Sequence, residues 1–423
     1  MARSPPGSAA GRHAKAAKLG NGGSVASSTS PECGGGSDGC PNGCAKGACS
    51  AELALGSSWL QAEHLSDLSA LNGSLALSLR GEPVVVVSSD EQGDLARLWG
   101  WPVADGRWSR PQYLRDHAST RQREGDEDAV LAGYRAWRRS SHRILSGRVA
   151  LAELCDRSTT AEPVHVSGGE RLYLTAWEYD PPTEAASSSD SEDTGEAACV
   201  EGRDGLGEAS VPRLADDVRG GVPFMRCLLG DAPHAALQTC SRLLRWIYVG
   251  EEGTACETHV DPIASHAWMW LAQGQKSWRF LVPRASCVDA VREEDCPDLF
   301  DCKDVARAAT HLQGARLFHA QLMPGQLIFI PSRCLHAVRN VSPGLSVAVS
   351  HNFVDASCLP ATLRGLRAAL EAVLAREAAG CQRDDVLEEL SGVLEGPMSV
   401  LLAAALRAPE ALAGVVAAAE AQV

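Results

Sequence analysis

The segment THVDPIASHAWMWLAQGQKSWRF, residues 258–280, sets His259, Asp261 and Lys276 among tryptophans and a phenylalanine. In an extended strand successive side chains alternate faces. His259 and Asp261 are therefore expected on one face, and Lys276 on the same face as Trp278 and Phe280. A second histidine, His336, falls in PGQLIFIPSRCLHAVRN, where Pro324 and Gly325 mark a turn and an apolar strand runs to Pro331, with His336 just after it. Two histidines and one carboxylate on a small barrel are the donor set of the facial triad of non-haem iron(II) oxygenases. Such a triad covers one face of an octahedron and leaves three positions, two for a chelating co-substrate and one for dioxygen. A lysine facing an apolar interior needs an anion. If the chelator is 2-oxoglutarate, its keto-acid end sits on the iron and its far carboxylate lies deeper, where Lys276 is the fixed cation it requires. A hydrolytic zinc site with the same three ligands is the other metal reading, and it gives Lys276 no task. Taken singly, each residue has a plain alternative: a histidine satisfied in a core, a lysine snorkelling to water. The ordered combination is what points to chemistry.

These residues need a rigid scaffold. Between about 222 and 356, runs such as LLRWIYVG, SWRFLVP, QLIFIP and LSVAVSHNFV recur between Gly, Pro, Asp and Ser signals, the pattern of a barrel or jelly roll. The expected organisation is a Gly/Ser/Cys-rich disordered tail over 1–50, a mixed subdomain over 51–180, an acidic disordered insert over 181–210, the barrel over 211–360 and helices over 361–423. Within the mixed subdomain EPVVVV reads as a strand, DAVLAGYRAWRRSSHRIL as helix and RLYLTAWEYD as a strand. The insert combines Pro, Ser, Gly and acids without periodicity. The C-terminal region has apolar residues at helical spacing with Gly380 as a helix stop. Trp246, Trp268, Trp270 and Trp278 flank strands where packing alone accounts for them.

Composition narrows the class further. The 423 residues are 45% hydrophobic, enough for a substantial core, and the formal net charge of -14 argues against direct nucleic-acid binding and favours a basic protein partner. Fifteen cysteines at scattered spacings, with no hydrophobic signal segment, indicate a reducing compartment, cytoplasmic or nuclear, rather than a secreted disulfide framework. The first residues are basic and rich in Ser and Ala, a bias shared with organelle transit peptides, and a disordered tail is the plainer reading. Cys33, Cys40, Cys44 and Cys49 match no paired zinc spacing. The most apolar C-terminal run is interrupted by Arg407, Pro409 and Glu410, so no membrane span is expected.

The stretches LLRWIYVGEEGTACETHVDP, SHAWMW, GQKSW, PGQLIFIPSRCLHAVRN and SVAVSHNF together resemble the JmjC-domain 2-oxoglutarate oxygenases over roughly residues 165–360, with the small single-domain protein hydroxylases the most similar branch. The resemblance implies a mainly β fold with helical additions, a double-stranded β-helix of the cupin kind. It also implies iron(II) and 2-oxoglutarate as cofactors, dioxygen as co-substrate, His259, Asp261 and His336 as metal ligands and catalytic centre, and Lys276 as the 2-oxoglutarate anchor. Tyr173 in RLYLTAW and Ser350 in AVSHNF fall where the family often supplies hydroxyls to the same carboxylate. The implied activity is hydroxylation of a protein side chain, lysyl hydroxylase-like. An N-methyl lysine or arginine demethylase using the same residues, or a non-catalytic scaffold, are the other readings. Two positions depart from the family pattern: Cys256 where a threonine is common, and Met269 where some members carry a polar residue. The C-terminal helices are a candidate surface for homodimerisation.

Overall fold

The computed structural model describes residues 59–66, 74–89, 93–117, 128–135, 137–159, 169–178, 217–218, 222, 225–283, 296–311, 314–391, 394 and 396–421. The tail 1–50 and the acidic stretch 181–210 lie outside these.

The smaller of two sheets contains β1 (Leu60–Gln61), β8 (Ala255–His259), β10 (Lys276–Val282), β11 (Arg316–Leu322) and β13 (Leu335–Asn340), in the spatial order β1-β11-β10-β13-β8. The larger contains β2 (Glu63–Leu65), β3 (Val84–Val86), β4 (Asp128–Arg135), β5 (Arg138–Ser146), β6 (Arg171–Glu178), β7 (Arg245–Glu251), β9 (His266–Gln273), β12 (Leu327–Ile330) and β14 (Leu345–Phe353). Its order is β2-β3-β12-β9-β14-β7-β6-β4-β5. Strand alternation does the sorting. On β10, Lys276, Trp278 and Phe280 turn inward, and Trp278 and Phe280 meet Phe318, Leu322 and Val338 of their own sheet and Met269, Leu271, Ile328 and Ala348 of the other. The two sheets thus enclose one apolar interior, and the fold is a mainly β jelly roll, a double-stranded β-helix with helical additions.

Both outer faces are covered. The opposite face of the larger sheet, including Trp268, Trp270, Val347 and Val349, packs on Leu77, Trp101, Trp108 and Leu154 from the N-terminal half. Strands and core are therefore shared between 51–180 and 211–360. The outside of the smaller sheet is covered by Leu299 and Val305, the latter on helix Cys302–His311. Helices Leu359–Ala378, Arg383–Ser391, Gly396–Arg407 and Pro409–Glu420 form a separate apolar cluster with Ala235–Arg242 at one end of the barrel. Among the described residues no single helix is long and apolar enough to cross a membrane.

One expected element is overturned. DAVLAGYRAWRRSSHRIL forms an antiparallel hairpin, β4 with β5, instead of a helix. β4 is covered on both faces: Ala129 and Leu131 join the N-terminal core, while Ala132 and Tyr134 pack with Tyr173. A strand buried on both sides loses its period of two, so its apolar run is indistinguishable from a buried helix until the pairing is known.

Candidate metal centre

β13 lies between β8 and β10 and places His336 opposite His259 on one side and Phe280 on the other. The pairing with β8 is irregular. Val338 faces Cys256 and His336 faces His259, so three steps along β8 match two along β13. The extra residue is a β-bulge, and it turns both Cys256 and His259 inward, with Cys256 Sγ 3.7 Å from His259 Nδ1. Simple alternation does not position Asp261. It lies beyond the end of β8, as the N-cap of the short 3-10 turn Pro262–Ala264. His336, in turn, is the second residue of its own strand.

The outcome is a cluster in which one ligand atom each from His259, Asp261 and His336 lie within 4.8 Å of one another. His336 Nε2 is 4.0 Å from Asp261 Oδ1. Both imidazoles are oriented by their own backbone: His259 Nδ1 is 2.8 Å from the Glu257 carbonyl and His336 Nδ1 is 3.0 Å from that of Cys334. A carbonyl accepts only, so each Nδ1 carries a proton and each Nε2 is the nitrogen that could take a metal. Asp261 Oδ2 is buried and has no hydrogen-bond partner, an uncompensated acceptor that a cation would satisfy. Burial, assisted by His259, pushes His336 down to about 4, so its imidazole is neutral at pH 7. Burial pulls His259 the same way, but Cys256 and Asp261 outweigh it and raise its pKa to about 10. A cation at His259 Nε2 must replace that proton, which couples ligation to proton release. The donor set fits an octahedral-preferring divalent iron.

The segment after Asp261 is strained and held. Ile263 and Ala264 have φ of 49° and 54°, in the left-handed region that a β-branched residue avoids. Three hydroxyls fix the turn: Thr362 donates to the Ile263 carbonyl at 2.8 Å, Ser265 to that of Pro262 at 2.8 Å, and Ser332 to that of Ala264 at 2.6 Å. Strain persists where surroundings over-determine it, and here it directly follows Asp261.

Lys276 opens β10, pairs in register with Asn340 and Leu322, and is 0% exposed. Its Nζ donates to Asn340 Oδ1 at 2.7 Å and to the Tyr173 hydroxyl at 3.4 Å. Both acceptors are neutral. Burial accordingly pushes the lysine down to about 7. Between Lys276 and the histidines stands Trp278, whose ring lies 6.0 Å from that of His336 and whose buried Nε1 has no hydrogen-bond partner. Ser350 is placed differently from Tyr173: its hydroxyl donates to the Trp268 carbonyl at 3.0 Å. Two residues at the lysine end were not singled out from sequence. Asn340 directly contacts the ammonium. Ser346 is fully buried with an unpartnered Oγ, and sits in register with Gly250 beside Tyr173 and Asn340. Ser346 shares a strand face with Ser350, which is the only signal the sequence offers for it.

A second cluster, His266, Asp355 and Cys358, also meets the geometric requirement for a metal. Its polar atoms are already engaged. His266 Nδ1 accepts from the Ser332 amide at 2.8 Å and Nε2 bonds Ser357 at 2.8 Å, while Asp355 accepts from Ser78 at 2.5 Å. It is a structural latch between β9, the turn before β13 and the first C-terminal helix.

The His-Asp-His cluster and the buried lysine both fall within a segment of the jelly roll that carries a JmjC domain. Residues 246–353 match the family described as "JmjC domain, hydroxylase". Among individual proteins, the chain is 28% identical to mouse "2-oxoglutarate and iron-dependent oxygenase JMJD4" over 30% of this chain and 30% of that protein. It is 30% identical to "JmjC domain-containing protein 1" of Schizosaccharomyces pombe over 27% of this chain and 25% of that protein. With the "Bifunctional arginine demethylase and lysyl-hydroxylase psr-1" of Caenorhabditis briggsae it shares 31% identity over 29% of this chain and 33% of that protein. The chain thus spans about a third or less of the length of these relatives.

Proposed function

We propose that this chain is an iron(II)- and 2-oxoglutarate-dependent dioxygenase that hydroxylates a protein side chain, with lysine the preferred target class. The observation that carries this reading is Lys276, a buried ammonium that meets only neutral acceptors and shares an inward strand face with the residues leading to His336. A charge buried without a counter-ion is costly, and it is retained where a ligand supplies the counter-ion.

When bound, iron and 2-oxoglutarate supply oxidative decarboxylation, in which dioxygen is reduced, carbon dioxide and succinate are released and one oxygen atom enters a substrate C–H bond. The protein does the rest. His259, Asp261 and His336 would hold the metal. Lys276, held by Asn340 and Tyr173, would bind and orient the distal carboxylate. Trp278, Phe280 and Met269 line the apolar interior and exclude water from it. The same residues would serve N-demethylation, because a hydroxylated N-methyl group breaks down to formaldehyde. The psr-1 relative carries both activities in its name. The formal net charge of -14 favours a basic segment as the protein substrate.

The test is succinate release by the purified, iron-loaded full chain with and without peptide pools containing lysine, methyl-lysine and methyl-arginine, read together with peptide mass. Gain of one oxygen on lysine supports the proposal, loss of a methyl group moves the assignment to demethylation, and no succinate with any pool refutes an enzymatic role.

A further inference from the structure

Asn340 stands where a charge would have been the simplest partner for Lys276. Its amide is oriented unambiguously: Oδ1 accepts from the lysine at 2.7 Å, which has no acceptor of its own, and Nδ2 donates to Thr254 Oγ1 at 2.8 Å. Thr254 in turn donates to the Glu251 carbonyl at 2.7 Å, so every member of the chain has its place. The backbone reinforces it, with the Asn340 amide donating to the Thr254 carbonyl at 2.9 Å and the Gly253 amide to the Asn340 carbonyl at 3.0 Å. Space is reserved too: a Cβ on Gly250 would come within 2.4 Å of Asn340 Nδ2 and 2.5 Å of the Tyr173 ring. The lysine ammonium has three donors, and among the described residues only two acceptors, Asn340 and Tyr173. Ser346 Oγ, buried and unpartnered, lies at the same end of the barrel.

We propose that Asn340 is the residue that sets the charge specificity of this pocket: it holds the Lys276 ammonium through a neutral acceptor, leaving its charge and its third donor for the second carboxylate of a bound keto-diacid. A carboxylate at this position would occupy the same space and satisfy the ammonium internally, and the pocket would then repel an anionic ligand. The inference rests on the 2-oxoglutarate reading of the site and concerns Asn340 as a positioning residue.

The experiment is calorimetric titration of the full chain, loaded with manganese(II), with 2-oxoglutarate and with 2-oxobutyrate, a keto-acid that lacks the distal carboxylate. The parent is expected to prefer 2-oxoglutarate. In Asn340→Asp that preference should fall by about two decades. Affinity for 2-oxobutyrate and for manganese should stay within about threefold, since neither reaches the lysine. Asn340→Ser, a smaller but neutral acceptor, should keep most of the preference. Retention of the parental preference in Asn340→Asp overturns the proposal, as does an equal loss in Asn340→Ser, which would mean that bulk and not neutrality matters. A failure of Asn340→Asp to fold also counts against it, because that substitution brings its own counter-ion to the lysine. A parent that binds neither acid removes the dioxygenase reading itself, a parent that binds both equally removes the carboxylate role of Lys276 and that of Asn340 with it, and a parent that prefers 2-oxoglutarate while Asn340→Asp does too removes the role of Asn340 alone.

Discussion

His259, Asp261 and Lys276 were legible as chemistry because a short apolar stretch has few reasons to contain them. Asn340 and Ser346 were not, because a polar residue in a strand could face either side until the partner strand is known. The three candidate ligand residues lead to a direct expectation. His259→Ala and Asp261→Ala should each lose divalent metal binding, seen as unbound manganese by electron paramagnetic resonance, while cooperative unfolding is kept. Unaltered manganese affinity in either would refute the ligand assignment. Lys276→Ala should leave metal affinity unchanged and weaken 2-oxoglutarate binding by about two to three decades, as leaving a buried anion unpaired costs on the order of 3–5 kcal/mol. The lysine also predicts a pH dependence. Burial lowers it from 10.5 to about 7. Between those values the unfolded chain holds a proton that the folded chain does not, so stability rises with pH across the window and is lowest below about 7. Ligand binding needs the ammonium and must take up that proton, so 2-oxoglutarate affinity should fall by about tenfold per pH unit above about 7. A flat affinity profile from pH 6 to 9 would show that the lysine's protonation is not linked to binding.

At the scale of elements, the strands bounded by clear turn signals were readable: β7, β10, β12 and β14 all fall on runs picked from the sequence. The elements that aim the ligands were not. The bulge in β8 is a property of pairing with β13, and the strained turn at Ile263 and Ala264 is held by Ser332 and Thr362, distant in sequence. Neither leaves a local pattern. The turn makes its own prediction. Ser332→Ala removes the hydroxyl that holds the Ala264 carbonyl, leaving the strained segment with fewer restraints. Stability should drop by about 1 kcal/mol, and metal affinity by roughly tenfold, since groups that orient ligands act on affinity through geometry. Denaturant midpoints and manganese titration separate the two effects. A loss of stability with unchanged affinity would mean that the turn positions Asp261 without help from Ser332.

For the molecule as a whole, the sequence suggested a mixed subdomain wrapped on the barrel, and among the described residues the larger sheet and the core on its back run across both regions. Asp217 is the polar counterpart of that shared core. It is buried and accepts from Arg107 at 3.0 Å, from the Trp108 indole at 2.8 Å and from the Tyr113 hydroxyl at 2.7 Å, while Trp108 itself packs against Trp270 on the back of the barrel sheet. Asp217→Ala strands two buried or half-buried neutral donors and removes a partner of a guanidinium that, among the described residues, retains only Asp105 as a carboxylate partner, which should cost about 2–4 kcal/mol. Asp217→Asn keeps an acceptor and should recover part of this. Because Trp108 and Trp270 belong to the same cluster as Trp268 and Phe353, the damage cannot stay in the N-terminal layer. The expected result is a single unfolding transition at a lower midpoint, with tryptophan fluorescence and manganese release moving together in both variants. Two separated transitions, the first without metal loss, would show instead that the N-terminal layer unfolds independently and that the barrel alone holds the metal cluster.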